Sequence, residues 1–215
     1  MTDPTGPRPD PRAETHGDAA ATHPIVRAAG ESGRLPDWAR IDRRRLEHSE
    51  RVVGLLDAWS AALDLLETDR VRWRAAGYLH DALKSADPLE LRRSLPSEES
   101  WPDSLLHGPA CAALLRESGV EDEALLGAIA HHSTGHPDFD SLGQFLYLAD
   151  YLEPGRKHDS DLRSALRARL PHERHSVIQD VAERRIAYLL EKRLPILSTT
   201  IEFWNGLVRD TGPSE

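Results

Sequence analysis

A histidine and an aspartate stand side by side in the first half of the chain, and a lysine follows one turn later. The stretch reads YLHDALK over residues 78–84, so His80 and Asp81 come at the end of an apolar helical run. Adjacent side chains on a helix project about 100° apart, and Lys84, four residues after His80, lies on the same face. The three groups are therefore close enough to act at one site.

Further polar residues fall on the apolar faces of other predicted helices. Together with the histidine-aspartate pair they form a set of six: His48, His80, Asp81, His107, His132 and Asp150. A buried imidazole or carboxylate costs free energy unless it is paired or bound to a metal ion. One such residue is most often a satisfied core histidine, but six on five helices are explained most simply if they converge.

Four histidines and two aspartates offer a mixed nitrogen and oxygen ligand set. Such a set suits iron, manganese, cobalt, nickel or zinc better than calcium or magnesium. Six side chains exceed what one catalytic metal needs when positions stay open for water. A carboxylate such as Asp81 could bridge two ions, which would activate a water between them and hold a phosphoryl oxygen.

The elements that must position these residues are all predicted to be helices. Apolar residues recur at helical spacing from Ile41 onward, with no alternating strand pattern and no internal repeat. Near the C-terminus, two helices over about 161–193 and 196–207 are predicted on either side of Pro195. We therefore predict an all-α bundle whose histidines and aspartates face its interior.

Composition divides the chain and limits its partners. Residues 1–36 carry many Pro, Gly, Asp and Ala residues and are predicted to be a disordered leader, followed by a folded domain over 37–210 and a flexible tail over 211–215. A net charge of −9 without a basic stretch argues against a nucleic acid partner. A small phosphorylated ligand needs only a few local cations. Whether the protein is a homodimer is left open.

The lengths of the apolar runs and the number of cysteines indicate where the protein is expected to be located and which sites it lacks. No apolar run approaches the roughly 20 residues that span a bilayer, and the first residues lack the apolar core of a signal peptide. A cytoplasmic location without a membrane partner is therefore expected. Cys111 is the single cysteine, which excludes an internal disulfide framework and a thiolate metal cluster.

Four motifs occur in order along the chain: LHDALK (79–84), LHGP (106–109), AIAHHSTG (128–135) and YLADYLEPGR (147–156). They resemble the motifs of HD-domain metal-dependent phosphohydrolases, and within that family the YqeK-type branch of symmetrical diadenosine tetraphosphate hydrolases. The resemblance covers about residues 40–210 and makes 37–210 an expected HD hydrolase domain. It implies cleavage of diadenosine tetraphosphate into two ADP at a di-iron centre.

The resemblance also implies a division of the ligands between two metal ions. The first ion would be held by His48, His80, Asp81 and Asp150, and the second by Asp81, His107 and His132. Iron is the metal that the resemblance implies, whereas the ligand chemistry also permits manganese, cobalt, nickel and zinc. His131 occupies a position that is usually aromatic in the family, which agrees with the choice of His132 from the helical face.

Cations near the ligands are candidate phosphate contacts. Lys84 lies one turn from the histidine-aspartate pair, and Arg156 follows Asp150 by six residues. Both can offset charge on a transferred phosphoryl group, and surface salt bridging is the alternative role for either cation. Asp81 and Lys84 are the predicted catalytic residues.

The loop after His132 supplies further candidates. Ser133, Thr134 and His136 are predicted substrate contacts, although an ordinary polar loop needs no such role. Glu153 either orients Arg156 or caps a helix, and the sequence leaves both alternatives open.

Two other functions remain compatible with the sequence. The first is a phosphohydrolase that acts on another nucleotide, such as a nucleoside monophosphate or guanosine tetraphosphate. The second is a non-enzymatic nucleotide sensor or protein-binding domain with a structural metal. The intact set of six ligands argues against the second.

Overall fold

The computed structural model describes residues 23–95 and 101–209, and within these ranges the chain forms helices and no strand. A short 3-10 helix covers Asp103–Leu105. The α-helices of the described ranges are α1 (Pro24–Ser32), α2 (Arg43–Ala62), α3 (Glu67–Leu79), α4 (Pro88–Ser94), α5 (His107–Glu117), α6 (Glu123–His131), α7 (Ser141–Leu152), α8 (Ser160–Ala168), α9 (Arg174–Glu191) and α10 (Ser198–Arg209). The predicted all-α class is confirmed.

Aspartates begin several of these helices. The carboxylates of Asp42, Asp87, Asp122 and Asp140 accept hydrogen bonds from backbone N–H groups in the first turns of α2, α4, α6 and α7. The first N–H groups of a helix have no partner within it, so a side-chain acceptor at this position stabilises the start. Three of these caps fix where α2, α6 and α7 begin, and these helices contain or lead to candidate ligands.

Helix α7 is the centre of the bundle. Nine of its twelve residues are buried, and α2, α3, α6 and α9 pack against it. A helix that is apolar on nearly every side is stable only inside a fold. Asp150 is a charged residue on this central helix, so it lies in the interior of the protein.

Most candidate ligands lie at helix ends, where side chains from different helices can meet. His80 and Asp81 directly follow α3, His107 opens α5, and His132 directly follows α6. The remaining two lie within α2 and α7. Four candidate ligands therefore come from the ends of α3, α5 and α6, and two come from inside α2 and α7.

The structure corrects the predicted disordered leader over residues 1–36. Within this segment α1 is a helix, and its Val26 and Ala29 are fully buried. A Cβ atom at Gly30 would lie 2.1 Å from the carbonyl oxygen of Val71, so α1 packs closely on α3. The prediction was wrong here because it rested on the composition of residues 1–36 as a whole, which hides the short amphipathic run that forms α1. Residues 1–22 and the predicted tail over 211–215 lie outside the described residues.

The single long helix predicted over 161–193 is also corrected. The chain forms α8 and α9 instead, with residues 169–173 between them. Pro171 lies in this connection and has no N–H group to continue a helical hydrogen-bond ladder. Across the two described ranges, every helix is too short or too polar to cross a bilayer.

Candidate metal centre

Six side chains predicted to converge lie together in the interior of the bundle. Each is polar or charged, yet no more than 7% of its surface is exposed. The set is His48, His80, Asp81, His107, His132 and Asp150. Burial of this kind costs free energy unless the groups bond to one another or to a metal ion. The structure brings the set together, and its role as a ligand set stays a prediction.

Asp81 lies in the middle of the set, and its two carboxylate oxygens face different imidazole pairs. Oδ1 lies 3.0 Å from Nε2 of His107 and 3.6 Å from Nε2 of His132. Oδ2 lies 3.8 Å from the Nε2 atoms of both His48 and His80. Because each oxygen faces a different pair of imidazoles, Asp81 could be a ligand on either side.

On each side of Asp81, the candidate ligand atoms are close enough to one another to bind one ion. Nε2 of His48 lies 3.3 Å from Oδ1 of Asp150 and 3.4 Å from Nε2 of His80. On the other side, the Nε2 atoms of His107 and His132 lie 3.1 Å apart. Metal–ligand bonds of about 2.0–2.2 Å bring neighbouring ligand atoms to similar separations.

Backbone groups hold two of the rings with Nε2 toward the centre. Nδ1 of His80 lies 2.8 Å from the carbonyl oxygen of Gly77, and Nδ1 of His132 lies 2.8 Å from that of Ile129. An Nδ1–H group that donates to a carbonyl fixes the ring and leaves the Nε2 lone pair for a metal ion. Because these carbonyls belong to the last turns of α3 and α6, the helix ends orient the ligands.

The protonation states of four members of the set also suit a metal ion. Burial lowers the pKa of His80 to about 3 and that of His107 to about 4. Burial alone would raise the pKa values of Asp81 and Asp150, but neighbouring imidazoles and cations hold both well below their usual range. Metal ions require neutral imidazoles and ionised carboxylates. The donor set therefore fits transition-metal ions.

His48 differs from the other imidazoles because two carboxylates contact it. Its Nε2 atom faces Asp150, and its Nδ1 atom lies 3.3 Å from Oε1 of Glu153. Burial lowers the pKa of His48, but the hydrogen bonds to these carboxylates outweigh burial and raise the pKa to about 9. A metal ion that binds Nε2 of His48 must displace the proton there.

Glu153 is a buried carboxylate that links several parts of the site. Besides His48, it accepts hydrogen bonds from Nε of Arg51 at 2.5 Å and from the backbone N–H of Gly155 at 2.6 Å. The sequence left open whether Glu153 orients Arg156 or caps a helix. The structure adds the contact with His48, whereas Nε of Arg156 is 3.9 Å away.

The two predicted phosphate contacts lie at different ends of the ligand set. Arg156 donates from Nη2 to Oδ1 of Asp150 at 2.7 Å and from Nε to the Asp150 carbonyl oxygen at 2.9 Å. The Nζ atom of Lys84 lies 3.3 Å from both ring nitrogens of His107 and donates to the carbonyl oxygen of Ser104 at 3.2 Å. Burial lowers the pKa of Lys84.

Two further arginines approach the carboxylates of the set. Nη1 of Arg45 lies 3.6 Å from Oδ2 of Asp81, and Nη1 of Arg185 lies 3.8 Å from Oδ2 of Asp150. The Arg45 side chain is 40% exposed, whereas that of Arg185 is 22% exposed. The ligand carboxylates are thus surrounded by cations from α2, α9 and the segments that follow α3 and α7.

The three candidate substrate contacts on the loop after His132 differ in their surroundings. Thr134 is buried, and its hydroxyl donates within the loop to the carbonyl oxygen of Gly135 at 3.2 Å. The ring of His136 packs against that of His131, with centroids 4.5 Å apart. Ser133 is partly exposed. The structure therefore gives Thr134 a place in the turn, and substrate contact by Ser133, Thr134 and His136 stays a prediction.

Comparison with known proteins identifies the family. The profile of the HD domain family matches residues 45–155, which make up more than half of the chain. The chain belongs to the HD domain family. The matched HD region contains all six members of the predicted ligand set.

Named relatives resemble the HD protein over most of its length. The symmetrical bis(5'-nucleosyl)-tetraphosphatase of Halalkalibacterium halodurans is 29% identical over 175 residues, which cover 78% of this chain and 91% of the relative. The enzyme of the same name from Bacillus subtilis is 29% identical over 183 residues, which cover 79% and 95%. The family resemblance predicted from the four motifs is confirmed.

A solved structure shares the fold. It is the crystal structure of a predicted HD superfamily hydrolase involved in NAD metabolism from Clostridium acetobutylicum. It matches with a TM-score of 0.69 and 24% sequence identity, over 87% of this chain and 96% of that chain. The HD helical fold therefore extends well beyond the region matched by the family profile.

Sequence reasoning missed two cations that approach predicted ligand carboxylates of the HD site, and only one of them has a signal in the sequence. Arg45 lies three residues before His48 on the same helix, so helical spacing places both on one face. That signal was available. Arg185 lies on α9, outside the HD profile match, and no spacing in the sequence connects it with Asp150. Only the packing of α9 against α7 brings these two residues together.

Proposed function

We propose that this HD protein is a metal-dependent hydrolase that cleaves diadenosine tetraphosphate symmetrically into two ADP. Relatives that carry the corresponding enzyme name resemble the chain over most of its length. The buried set of imidazoles and carboxylates fits metal ions, as its protonation and ring orientation indicate. The choice of a polyphosphate substrate is supported further by the charges around the set.

The charge balance of the site is the observation that carries the proposal. Its buried carboxylates are Asp81, Asp150 and Glu153. They are already surrounded by the cations Arg45, Arg51, Lys84, Arg156 and Arg185. Bound metal ions would therefore leave the site with excess positive charge. A substrate that carries several negative charges on neighbouring groups offsets that excess, and a polyphosphate chain has this property.

The positions of the cations suit a long phosphate chain. Arg156 contacts Asp150, whereas Lys84 contacts His107 on the other side of Asp81. A symmetrical cut leaves two phosphates on each side of the broken bond. Lys84 and Arg156 are therefore proposed to bind phosphates on the two sides of that bond.

The proposed cofactor is a pair of metal ions, with iron as the first candidate and manganese, cobalt, nickel and zinc as alternatives. Bound in this site, they would supply a water of lowered pKa and offset charge on the phosphates. Asp81 would hold both ions through its two oxygens, and the histidines would hold them through Nε2. Ser133, His136 and Arg45 are proposed to contact the rest of the substrate.

Product analysis tests the proposal. Purified protein, reconstituted separately with iron or manganese, is incubated with diadenosine tetraphosphate, and the products are separated by ion-exchange chromatography. We expect ADP as the sole nucleotide product. AMP together with ATP would contradict a symmetrical cut.

The same experiment separates the alternative substrates. A nucleoside monophosphate and guanosine tetraphosphate are incubated in parallel with each metal-loaded sample. Turnover of either compound without turnover of diadenosine tetraphosphate would replace the proposed substrate but keep the hydrolase. No turnover of any of the three, with full metal loading, would contradict a phosphohydrolase function.

A further inference from the structure

The two C-terminal helices hold the loop that follows His132, although both lie outside the HD profile match. From α9, Nη2 of Arg185 donates to the carbonyl oxygen of Ser133 at 2.8 Å. From α10, the hydroxyl of Thr200 donates to the carbonyl oxygen of Thr134 at 2.9 Å. Three helical elements therefore meet at this loop, because its own backbone begins at the end of α6.

The next residue of the loop is held by packing. Phe203 of α10 lies so close to Gly135 that a Cβ atom there would be 2.2 Å from the phenyl ring. The φ angle of Gly135 is +76°, a conformation that side chains other than glycine rarely adopt. Three consecutive loop residues are thus each fixed by a different residue of the C-terminal helix pair.

Arg185 is the member of this group that also reaches the metal centre. Its Nη1 atom lies 3.8 Å from Oδ2 of Asp150, and its guanidinium lies 4.8 Å from the centre of the Tyr147 ring. Arg156 approaches Oδ1, the other carboxylate oxygen of Asp150. The Arg185 guanidinium therefore joins Asp150, an aromatic ring and the Ser133 carbonyl, which leaves it little freedom to move.

We propose that Arg185 is a positioning residue that holds the Asp150 carboxylate and the loop over residues 133–136 in a fixed relation. By contacting Oδ2, Arg185 turns Oδ1 of Asp150 toward His48. By donating to the carbonyl oxygen of Ser133, Arg185 also holds the loop that follows His132, a second predicted ligand. The proposal rests on the proposed function for metal binding at the set of six residues and for the identity of the substrate.

The planar fork of an arginine suits this role. Its N–H groups point in fixed directions, so one guanidinium can serve a carboxylate and a carbonyl at once. A lysine in its place could contact one of the two partners at a time. A glutamine would keep a donor but lose the charge.

Three variants test the role of Arg185. Arg185→Gln and Arg185→Lys are compared with Arg184→Gln, which changes a neighbouring exposed arginine and serves as the control. Manganese affinity is measured by titration calorimetry, and kcat and KM are measured with diadenosine tetraphosphate. Thermal unfolding without added metal reports on the fold.

We expect Arg185→Gln to weaken manganese binding by about 10- to 100-fold, as loss of a residue that orients a ligand typically does. Its kcat should fall with little change in KM. Arg185→Lys should recover part of the lost manganese affinity, and Arg184→Gln should behave as the unchanged protein. If the unchanged protein does not cleave diadenosine tetraphosphate, the proposed function fails but the comparison of manganese affinities still tests Arg185.

Two results would overturn the positioning role. Unchanged manganese affinity together with a raised KM would make Arg185 a direct phosphate contact. Unchanged manganese affinity with a lowered melting temperature would make it a packing residue.

If the variants do not fold, hydrogen exchange of the unchanged protein provides the test. Manganese should slow exchange of the backbone amides over residues 133–136, and equal exchange rates with and without manganese would overturn the proposal.

Discussion

Nδ1 of His48 lies 3.3 Å from Oε1 of Glu153, so a carboxylate at the end of α7 orients a predicted metal ligand on α2. A histidine whose Nδ1–H donates to a carboxylate is fixed in its ring orientation and is a stronger Nε2 donor. We expect Glu153→Ala to weaken metal binding by about 10- to 100-fold. Glu153→Gln should weaken it less, because an amide oxygen can still accept from His48.

Titration calorimetry with manganese checks this expectation about Glu153. Glu50→Gln, at an exposed position on α2, is the control. Equal manganese affinities for Glu153→Ala and the unchanged protein would show that His48 needs no support from Glu153.

His131 and His132 are adjacent in the chain but have different surroundings, so a substitution of His131 is a control for the same substitution of His132. Nε2 of His132 faces Asp81 and His107, whereas the ring of His131 packs against Trp101 and His136. We therefore expect His132→Ala to lose about one metal ion per chain, and His131→Ala to keep the full metal content. Elemental analysis after reconstitution measures the difference. Full metal content in His132→Ala would remove this residue from the ligand set.

The sequence was sufficient to predict which six residues converge, and the reason is local. Each candidate ligand stands within or next to a helix whose apolar residues recur at helical spacing, so its direction toward the core follows from that helix. The contact of Glu153 with His48 could not be found this way, because the two residues are 105 positions apart in the numbering and meet only through packing of α2 on α7.

The same limit explains the errors in the fold. Helix α1 is short and rich in small residues, and what stabilises it is close packing of Gly30 and Ala29 on α3. Its amphipathic run covers only nine residues next to a segment rich in Pro, Gly, Asp and Ala, so the composition of the whole segment conceals it. The break between α8 and α9 was visible in principle, because Pro171 stands inside the predicted helix. The contacts of Arg185 and Thr200 with the loop after His132 depend on where the C-terminal helices dock, which no local pattern encodes.

The bridging position of Asp81 predicts a link between metal binding and stability. A ligand that binds only the folded state raises the free energy of unfolding, by about 2.7 kcal/mol at about 100 times its dissociation constant. We expect manganese to raise the melting temperature of the unchanged protein and to have little effect on Asp81→Asn, since both ions would use this carboxylate. Differential scanning calorimetry measures the shift.

Asp138→Asn, at an exposed position in the loop before α7, is the control for Asp81→Asn. It should keep the full manganese-dependent shift. The same shift in Asp81→Asn as in the control, or retention of both metal and activity, would contradict a bridging role for Asp81.

Arg156 is predicted to leave the Asp150 carboxylate and contact a substrate phosphate. It donates to Asp150 at 2.7 Å, and its side chain is 38% exposed, so it can turn toward a phosphate once a metal ion occupies the carboxylate. We expect Arg156→Gln to raise KM for diadenosine tetraphosphate by about 10-fold, equivalent to about 1.4 kcal/mol. Its metal content should stay unchanged. Steady-state kinetics with Lys157→Gln as the exposed control checks this, and an unchanged KM would exclude the phosphate contact.

Arg72 stabilises the two helices that lead to His132 and Asp150. This arginine of α3 is buried, donates to both carboxylate oxygens of Asp122 at 2.5 and 2.9 Å, and lies 3.7 Å from Oδ2 of Asp140. These two aspartates cap α6 and α7. Removal of one partner of a buried ion pair typically costs about 3–5 kcal/mol.

We therefore expect Arg72→Met to lower the free energy of unfolding by about 3–5 kcal/mol, because the Asp122 carboxylate is left buried without its cation. Urea denaturation measures the loss. Arg93→Met, at an exposed position of α4, should change stability by no more than about 0.5 kcal/mol. Because the two capped helices carry Asp150 and lead to His132, metal affinity should fall together with stability in Arg72→Met. A large loss of stability with unchanged manganese affinity would show that the centre keeps its geometry without this support.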